Sequence, residues 1–292
     1  MTARRVRFKQ VDVFTATPFR GNPLAVIFDA DGLSDADMRA IAHWTNLSET
    51  TFVCTPTDPA ADYRVRIFTT GGELPFAGHP TLGTAHAVRE AGLVPRTPGR
   101  LVQQCGAGLV VLREQADGRR AFAAPPARVT PLPASAYPAL AAALRSEAIV
   151  FDAAPCGVDN GAPWLVVRLA SAADCLALAP DAQALAGIVA SVGTHGVAAY
   201  APHPAGGPAT FEVRCLMTGE QFGVGEDPVT GSANAAIAGL LDSQGLRPGN
   251  AYTVRQGTAI GRDGRVSVDY EDGSIWIGGD TVTIVDGSFL LP

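Results

Sequence analysis

The residues YRVRIFTTG at positions 63–71 and FEVRCLMTG at positions 211–219 fall on each other when the sequence is shifted by 148 positions. The same ungapped shift places GHPTLGTAHA (78–87) on EDPVTGSANA (226–235). Each copy joins a strand-like pattern to a proline of the kind that opens a helix. A repeat this long exceeds any solenoid unit and indicates two similar domains.

The segments before this repeat predict the same order of elements. GNPLAV (21–26) resembles GAPWLV (161–166), and both read as a turn that leads into a strand. Ser34 and Asp37 have the spacing of a helix cap. Further helices are predicted from Pro80 to about Ala91, stopped by Gly92, and from Pro228 to about Asp242.

These elements predict an α+β fold in which many strands surround one buried helix, twice over. Both predicted helices are rich in small residues nearly all round, which is typical of a helix enclosed by other structure. The segment 121–138, rich in Ala and Pro, is predicted to be the linker. The domain bounds are therefore set at 1–125 and 126–280.

Composition excludes several classes of partner. The chain has 292 residues, 17% charged residues and a formal net charge of −6, without a basic run that would bind nucleic acid. No window of about 18 apolar residues predicts a membrane span. The five cysteines form no Cys-x-x-Cys motif, so free thiols and a cytoplasmic location are expected. No metal or dinucleotide site is predicted, so no cofactor is expected.

Three stretches are candidates for chemistry: NLSETTF (46–52), FAGHPT (76–81) and GEDPVTGSA (225–233). The last two put His79 and Asp227 just before a predicted helix start, where Asp is a common N-cap and His is less usual. Helix N-termini attract anions, so two of them facing one cavity would hold a carboxylate. Taken singly, each residue also has a structural interpretation: Asp227 as a cap, His79 as a satisfied histidine and Glu49 as a solvated residue.

Together with VDVFT (11–15) and GNPLAV (21–26), these stretches resemble the signature of the PhzF-like phenazine biosynthesis family over the whole chain. The resemblance implies the fold of diaminopimelate epimerase, with a barrel-like sheet around a central helix in each domain. It also implies that the C-terminal residues 281–292 return to the first domain, and that the protein forms a homodimer.

The resemblance further implies an isomerase that acts on a small carboxylate such as trans-2,3-dihydro-3-hydroxyanthranilate, without a cofactor, in the cleft between the domains. Glu49 matches the family's catalytic acid/base, and His79 and Asp227 match groups that hold and protonate the substrate. Such a base is expected to have a raised pKa from burial. The expected substrate-binding residues are Ser48, Gly78, Pro80, Thr81, Gly231 and Ser232.

Two other functions stay open from sequence alone. One is an epimerase or racemase of an amino-acid-like substrate, with Glu49 opposed by Asp227 or His79. Two-cysteine racemisation is disfavoured, because both helix-start motifs lack cysteine (77–79 and 231–233). The other is a protein that binds a small molecule without turning it over.

Overall fold

The computed structural model describes residues 4–115, 117–219 and 223–291. Positions 1–3 and 116, which the predicted first domain includes, position 292 of its expected C-terminal return, and positions 220–222 of the predicted second domain lie outside the described residues. The chain forms two compact units: unit 1 is Met1–Ala123 with Gly278–Pro292, and unit 2 is Ala124–Ile277.

Unit 1 contains nine strands and two α-helices among the described residues. The strands are β1 Arg4–Val13, β2 Asn22–Ile27, β3 Glu49–Cys54, β4 Tyr63–Phe68, β5 Glu73–Leu74, β6 Arg100–Cys105, β7 Gly108–Glu114, β8 Arg120–Ala123 and the last strand of the chain, β18 Thr281–Leu291. The helices are α1 Asp35–Thr45 and α2 Gly78–Glu90. β18 pairs antiparallel with β1 along its whole length.

The strands of unit 2 are β9 Arg128–Pro131, β10 Cys156–Asp159, β11 Trp164–Arg168, β12 Gly196–Pro202, β13 Phe211–Gly219, β14 Gly223–Asp227, β15 Ala251–Gln256, β16 Gly264–Glu271 and β17 Ser274–Gly279, the last of which runs into unit 1. Its helices are α3 Tyr137–Leu144, α4 Ala172–Leu176, α5 Ala182–Ser191 and α6 Gly231–Ser243. Short 3-10 helices lie at Ala134–Ala136 and Thr258–Ile260.

Strand pairing follows the same sequence of directions in both units. In unit 1, β1–β2 is antiparallel, β2–β3 parallel, β3–β4 and β4–β5 antiparallel, β4–β6 parallel and β6–β7 antiparallel. In unit 2 the series β10–β11, β11–β12, β12–β13, β13–β14, β13–β15 and β15–β16 repeats that order of directions. The predicted α+β class with two similar domains is confirmed, and the repeat in the sequence is a repeat of topology.

The two helices α2 and α6 are buried on almost every side, as their small residues predicted. Close packing explains part of this composition. A Cβ atom added to Gly83 of α2 would lie 2.6 Å from Leu24 and 2.8 Å from Val13 of the surrounding strands. A larger residue at this position therefore requires the sheet to move away from the helix.

Sequence patterns located the helix ends with unequal success. Ser34 and Asp37 form the predicted capping box at the start of α1. Helix α2 begins two residues before the predicted Pro80, with Ala77 rather than His79 as its N-cap, and Gly92 follows its end with φ of +98°.

The prediction that α6 opens at Pro228 was wrong, as was Asp227 as an N-cap: the helix begins at Gly231 and its N-cap is Thr230. Strand pairing in the tertiary structure explains why α6 starts later than predicted. Asp227 pairs with Cys215 at the end of β14, so three further residues are needed to turn the chain into the helix. The predicted linker 121–138 is also not free of structure, because it contains the end of β8 and all of β9.

Candidate active site

Glu49 is the first residue of β3, just beyond the end of α1. Asn46 ends α1 in the left-handed conformation (φ 54°), which asparagine tolerates better than most residues. The hydroxyl groups of Thr45 and Thr50 lie 2.7 Å apart, which ties the helix end to the strand start. The Glu49 side chain is 15% exposed, so it is largely shielded from water.

His79 lies in the first turn of α2 and its side chain is only 6% exposed. Its Nδ1 atom lies 3.2 Å from Oε2 of Glu49. Burial lowers the pKa of His79 to about 3, and the hydrogen-bonding carbonyl of Pro23 opposes this only in part. The imidazole is therefore neutral at physiological pH, and the pair consists of a shielded glutamate beside an uncharged histidine.

Asp227 belongs to unit 2 and lies at the end of β14. The Thr230 hydroxyl donates to its Oδ2 atom over 2.5 Å. The Thr230 oxygen in turn accepts from Nε2 of Gln256 at 2.9 Å. Since that lone pair is occupied by the Gln256 amide, the Thr230 proton is directed at Asp227, and the bond stabilises the carboxylate form of the side chain.

The orientation of the Gln256 amide is fixed by its other partners. Its Oε1 atom accepts from the backbone of Thr230 at 3.1 Å and from Asn234 Nδ2 at 2.9 Å. Its Nε2 atom also donates to the Asp227 carbonyl at 3.1 Å. Because Gln256 is fully buried, the turn between β14 and α6 has one hydrogen-bond polarity, set by a strand distant in sequence.

The remaining predicted binding residues fall into different environments. Ser48 is exposed directly before β3, whereas Gly78, Pro80 and Thr81 are buried in the first turn of α2. The Thr81 hydroxyl accepts from Gln103 at 2.9 Å, which gives it a structural partner. In unit 2, Gly231 is buried and Ser232 is half-buried in the first turn of α6.

Sequence reasoning did not single out the residues that hold Ser232. The Trp164 indole Nε1 donates to Ser232 Oγ at 3.0 Å, and Asn160 Nδ2 donates to the Ser232 carbonyl at 3.1 Å. The available signal was the match of Trp164 to Leu24 in the repeated turn, where an aromatic ring replaces an aliphatic side chain. Thr230 lies within the candidate stretch 225–233, whereas nothing in the residues around Gln256 indicated that it belongs to the site.

Thiol and metal chemistry find little support in the described part of the chain. Burial raises the pKa of Cys54 to about 11 and that of Cys175 to about 12, so both thiols stay protonated at neutral pH. Among the described residues, no cluster of three or more histidine, cysteine, aspartate or glutamate side chains is arranged to hold a metal ion. None of the helices in the described ranges is long and apolar enough to cross a membrane.

Comparison with known proteins gives matches over most of the chain. Residues 11–287 match the family model described as "Phenazine biosynthesis-like protein". The chain is 38% identical to antisense-enhancing sequence 1 of Schizosaccharomyces pombe, covering 96% of this chain and 97% of the relative. It is 35% identical to trans-2,3-dihydro-3-hydroxyanthranilate isomerase of Pseudomonas aeruginosa, covering 89% and 88%.

Solved structures show the same fold. A PhzF-family phenazine biosynthesis protein of Bacillus anthracis superposes with a TM-score of 0.83 at 23% identity, covering 98% of this chain and 99% of the other. A hydroxyproline epimerase of Agrobacterium vitis superposes with a TM-score of 0.64 at 15% identity, covering 100% and 93%. The PhzF and epimerase-like fold expected from the motifs is confirmed, and the chain belongs to the phenazine biosynthesis-like (PhzF) family of isomerases.

Proposed function

We propose that the chain moves one proton between two carbons of a small amino-carboxylate, with trans-2,3-dihydro-3-hydroxyanthranilate as the model substrate. Relatives with that name are 35–36% identical to this chain. The observation that carries the proposal is the contact of 3.2 Å between Glu49 and His79, both largely shielded from water. A shielded carboxylate beside a neutral imidazole suits proton transfer at carbon.

In this reaction the Glu49 carboxylate removes a proton from a substrate carbon. The electron pair of the broken C–H bond forms a new double bond to the neighbouring carbon, and the π electrons of the existing double bond shift to its far carbon. Glu49 then returns the same proton to that far carbon, where those electrons form the new C–H bond. Substrate and product are isomers, so no electron acceptor or cofactor is consumed. Return of the proton by the group that removed it fits an isomerase better than inversion at one centre.

Neutral His79 and anionic Asp227 take different tasks in this proposal. The imidazole contacts Glu49 and is uncharged, because burial lowers the pKa of His79 to about 3. Its single N–H donates to the Pro23 carbonyl, so the other ring nitrogen accepts a hydrogen bond from the substrate. The Asp227 carboxylate, which already accepts from Thr230, attracts the substrate's amino group. Gly231 and Ser232 bind the substrate's carboxylate. The proposal therefore requires that residues of both units contribute to one site.

The decisive experiment is turnover of trans-2,3-dihydro-3-hydroxyanthranilate by the wild type and by Glu49→Gln. Loss of a general acid/base lowers kcat by about 10²–10⁴-fold. The matched control is Glu147→Gln, which makes the same chemical change at an exposed position of unit 2 and should keep full activity. Glu49→Gln activity within threefold of the wild type would refute the role of Glu49.

Reaction in D₂O separates isomerisation from epimerisation. A single base returns part of the original hydrogen to the new carbon, so the product should contain less than one deuterium there. Product with inverted configuration at an unchanged carbon skeleton, fully deuterated at that centre, would instead support the epimerase alternative.

The homodimer expected from the family stays a prediction that light scattering of the purified protein can check.

A further inference from the structure

We infer that Trp164 is a positioning residue that makes Ser232 a hydrogen-bond donor for an anionic group of the substrate. The inference rests on the proposed function, since it concerns how the same site recognises its ligand. It starts from one contact: the indole N–H of Trp164 donates to Ser232 Oγ over 3.0 Å. An indole N–H is only a donor, so the polarity of this bond is unambiguous.

The consequence concerns the Ser232 proton. A hydroxyl has one proton and two lone pairs, and the indole already occupies one of the lone pairs. No group among the described residues accepts a hydrogen bond from the Ser232 hydroxyl. Ser232 is half-buried rather than enclosed, so its proton is available to a ligand that accepts hydrogen bonds. A carboxylate is the strongest acceptor of this kind.

The backbone at Ser232 is fixed by a second contact from the same hairpin. Asn160 Nδ2 donates to the Ser232 carbonyl at 3.1 Å, which settles the orientation of the Asn160 amide because a carbonyl requires a donor. Its Oδ1 atom is buried and has no hydrogen-bond partner in the described ranges. A buried acceptor left unpaired costs stability, so stability alone does not explain the place of Asn160 beside Ser232.

The surroundings of Ser232 favour an anion. Ser232 lies in the first turn of α6, a helix of 13 residues with no acidic side chain in that turn. The side chain of its N-cap, Thr230, does not cap the helix N–H groups and instead donates to Asp227. The backbone N–H groups of this turn add positive potential to the hydroxyl donor. Trp164 itself is buried (3% exposed), which holds the indole rigidly and fixes the direction of its N–H.

The corresponding position of unit 1 is used differently. Thr84 matches Ser232 at the offset of 148, and its hydroxyl donates to Thr51 at 2.9 Å inside the core of unit 1. Thr84 is fully buried, so its proton is committed to the fold. Only the copy in unit 2 combines an occupied lone pair with an available proton.

The test replaces Trp164 by Phe, which keeps an aromatic ring and removes the N–H. For trans-2,3-dihydro-3-hydroxyanthranilate, KM should rise about tenfold while kcat stays within about threefold, because binding rather than proton transfer is affected. The matched control is Trp44→Phe, the same change at a residue of unit 1 that is 76% exposed, which should leave both constants unaltered. A kcat that falls with no change in KM would overturn the inference.

A double-mutant cycle supplies a readout that a general packing role would not move. Ser232→Ala should raise KM to a similar degree, and Trp164→Phe should add little in the Ser232→Ala background. Independent, multiplying effects would show that Trp164 does not act through Ser232. If Glu49→Gln abolishes turnover while Trp164→Phe leaves KM unchanged, this inference fails and the proposed function stands.

Direct binding covers the cases of no turnover or an unstable Trp164→Phe variant. The probes are 3-hydroxyanthranilate, a stable aromatic analogue, and its uncharged amide, titrated into the folded protein. The wild type should prefer the carboxylate, and Ser232→Ala should reduce that preference several-fold. In ¹⁵N-tryptophan spectra of the wild type, the Trp164 indole signal should shift when 3-hydroxyanthranilate binds. No preference for the carboxylate and no shift would overturn the inference.

Discussion

The segments 78–81 and 226–229 match in sequence, but the first opens α2 while the second lies in β14 and the turn before α6, so they present different groups. In unit 1, His79 lies inside the helix, buried and neutral, and contacts Glu49. In unit 2, the matching Asp227 lies before the helix and accepts a hydrogen bond from the Thr230 hydroxyl. The two related positions therefore carry an uncharged imidazole in unit 1 and, in unit 2, a carboxyl group that accepts a hydrogen bond from a threonine hydroxyl.

Glu49 itself has no counterpart in unit 2. Leu24 pairs with Glu49 in the parallel register of β2 and β3. The register of β11 and β12 starts one residue after the matching pair, with Leu165 opposite Val197, and Gly196 lies next to Trp164 just before it. A Cβ at Gly196 would lie 2.3 Å from the Leu216 carbonyl and 3.1 Å from the Trp164 ring. Only unit 1 therefore carries a carboxylate at this position, which favours chemistry with a single base over a symmetrical two-base inversion.

The largest expected effect that sharpens this comparison comes from Asp227→Asn. Asparagine keeps the size and the acceptor for Thr230 but removes the negative charge, so kcat/KM should fall about 30- to 5,000-fold if Asp227 binds the substrate's amino group as an anion. The measurement is steady-state turnover of trans-2,3-dihydro-3-hydroxyanthranilate. Asp152→Asn, at an exposed position of unit 2, is the control. Activity close to the wild type would remove the contrast between the two helix starts.

A smaller loss is expected from Thr230→Val, which has nearly the same shape and lacks the hydroxyl. A hydrogen bond to a charged group contributes about 1.5–3 kcal/mol, so kcat/KM should fall about 10- to 100-fold. Thr230→Ser keeps the hydroxyl and should recover most of the activity. Equal activity of the Val and Ser variants would show that the bond to Asp227 is only structural.

The neutral state of His79 predicts an acid-dependent loss of stability. The pKa of His79 is about 3 in the fold against an ordinary 6.5, so the unfolded chain binds the proton first as pH falls. The contribution of neutral His79 to the free energy of unfolding is complete above about pH 6.5 and declines toward pH 3. Between pH 7 and pH 5 the free energy of unfolding should fall by about 2 kcal/mol from this cause.

Urea unfolding of the wild type and of His79→Asn at several pH values measures the contribution of His79 to the free energy of unfolding. The variant should show the shallower dependence on pH. Burial also lowers the pKa of His86, but this residue is present in both proteins and its contribution cancels. Parallel curves for the two proteins would mean that His79 is not held neutral by the fold.

The smallest expected effect concerns the packing that both central helices share. Gly83→Ala places a methyl group 2.6 Å from Leu24, and overpacking of this kind costs about 1–3 kcal/mol. Gly187→Ala, in the exposed face of α5, meets nothing within 4 Å and should stabilise the protein by about 0.5–1 kcal/mol. Thermal unfolding compares the two variants, and a stabilising Gly83→Ala would contradict the close approach of α2 to its sheet.

Local patterns predicted the elements whose ends are set by nearby residues. The capping box of Ser34 and Asp37 and the stop at Gly92 needed only a few neighbours, and both were predictable. The start of α6 was not, because pairing of β14 with β13 draws Asp227 into a strand. A local pattern cannot include a hydrogen-bond partner that lies distant in sequence or in another strand.

By itself the sequence determined the duplicated α+β architecture, the family and the identity of the candidate residues, since repeats and motifs are written in residue order. Only the tertiary structure decided their chemical state. Burial makes His79 neutral, Gln256 directs the Thr230 proton to Asp227, and Trp164 occupies a lone pair of Ser232. Charge and hydrogen-bond polarity depend on what surrounds a group in space, and for these residues the decisive neighbours come from other strands and turns of the fold.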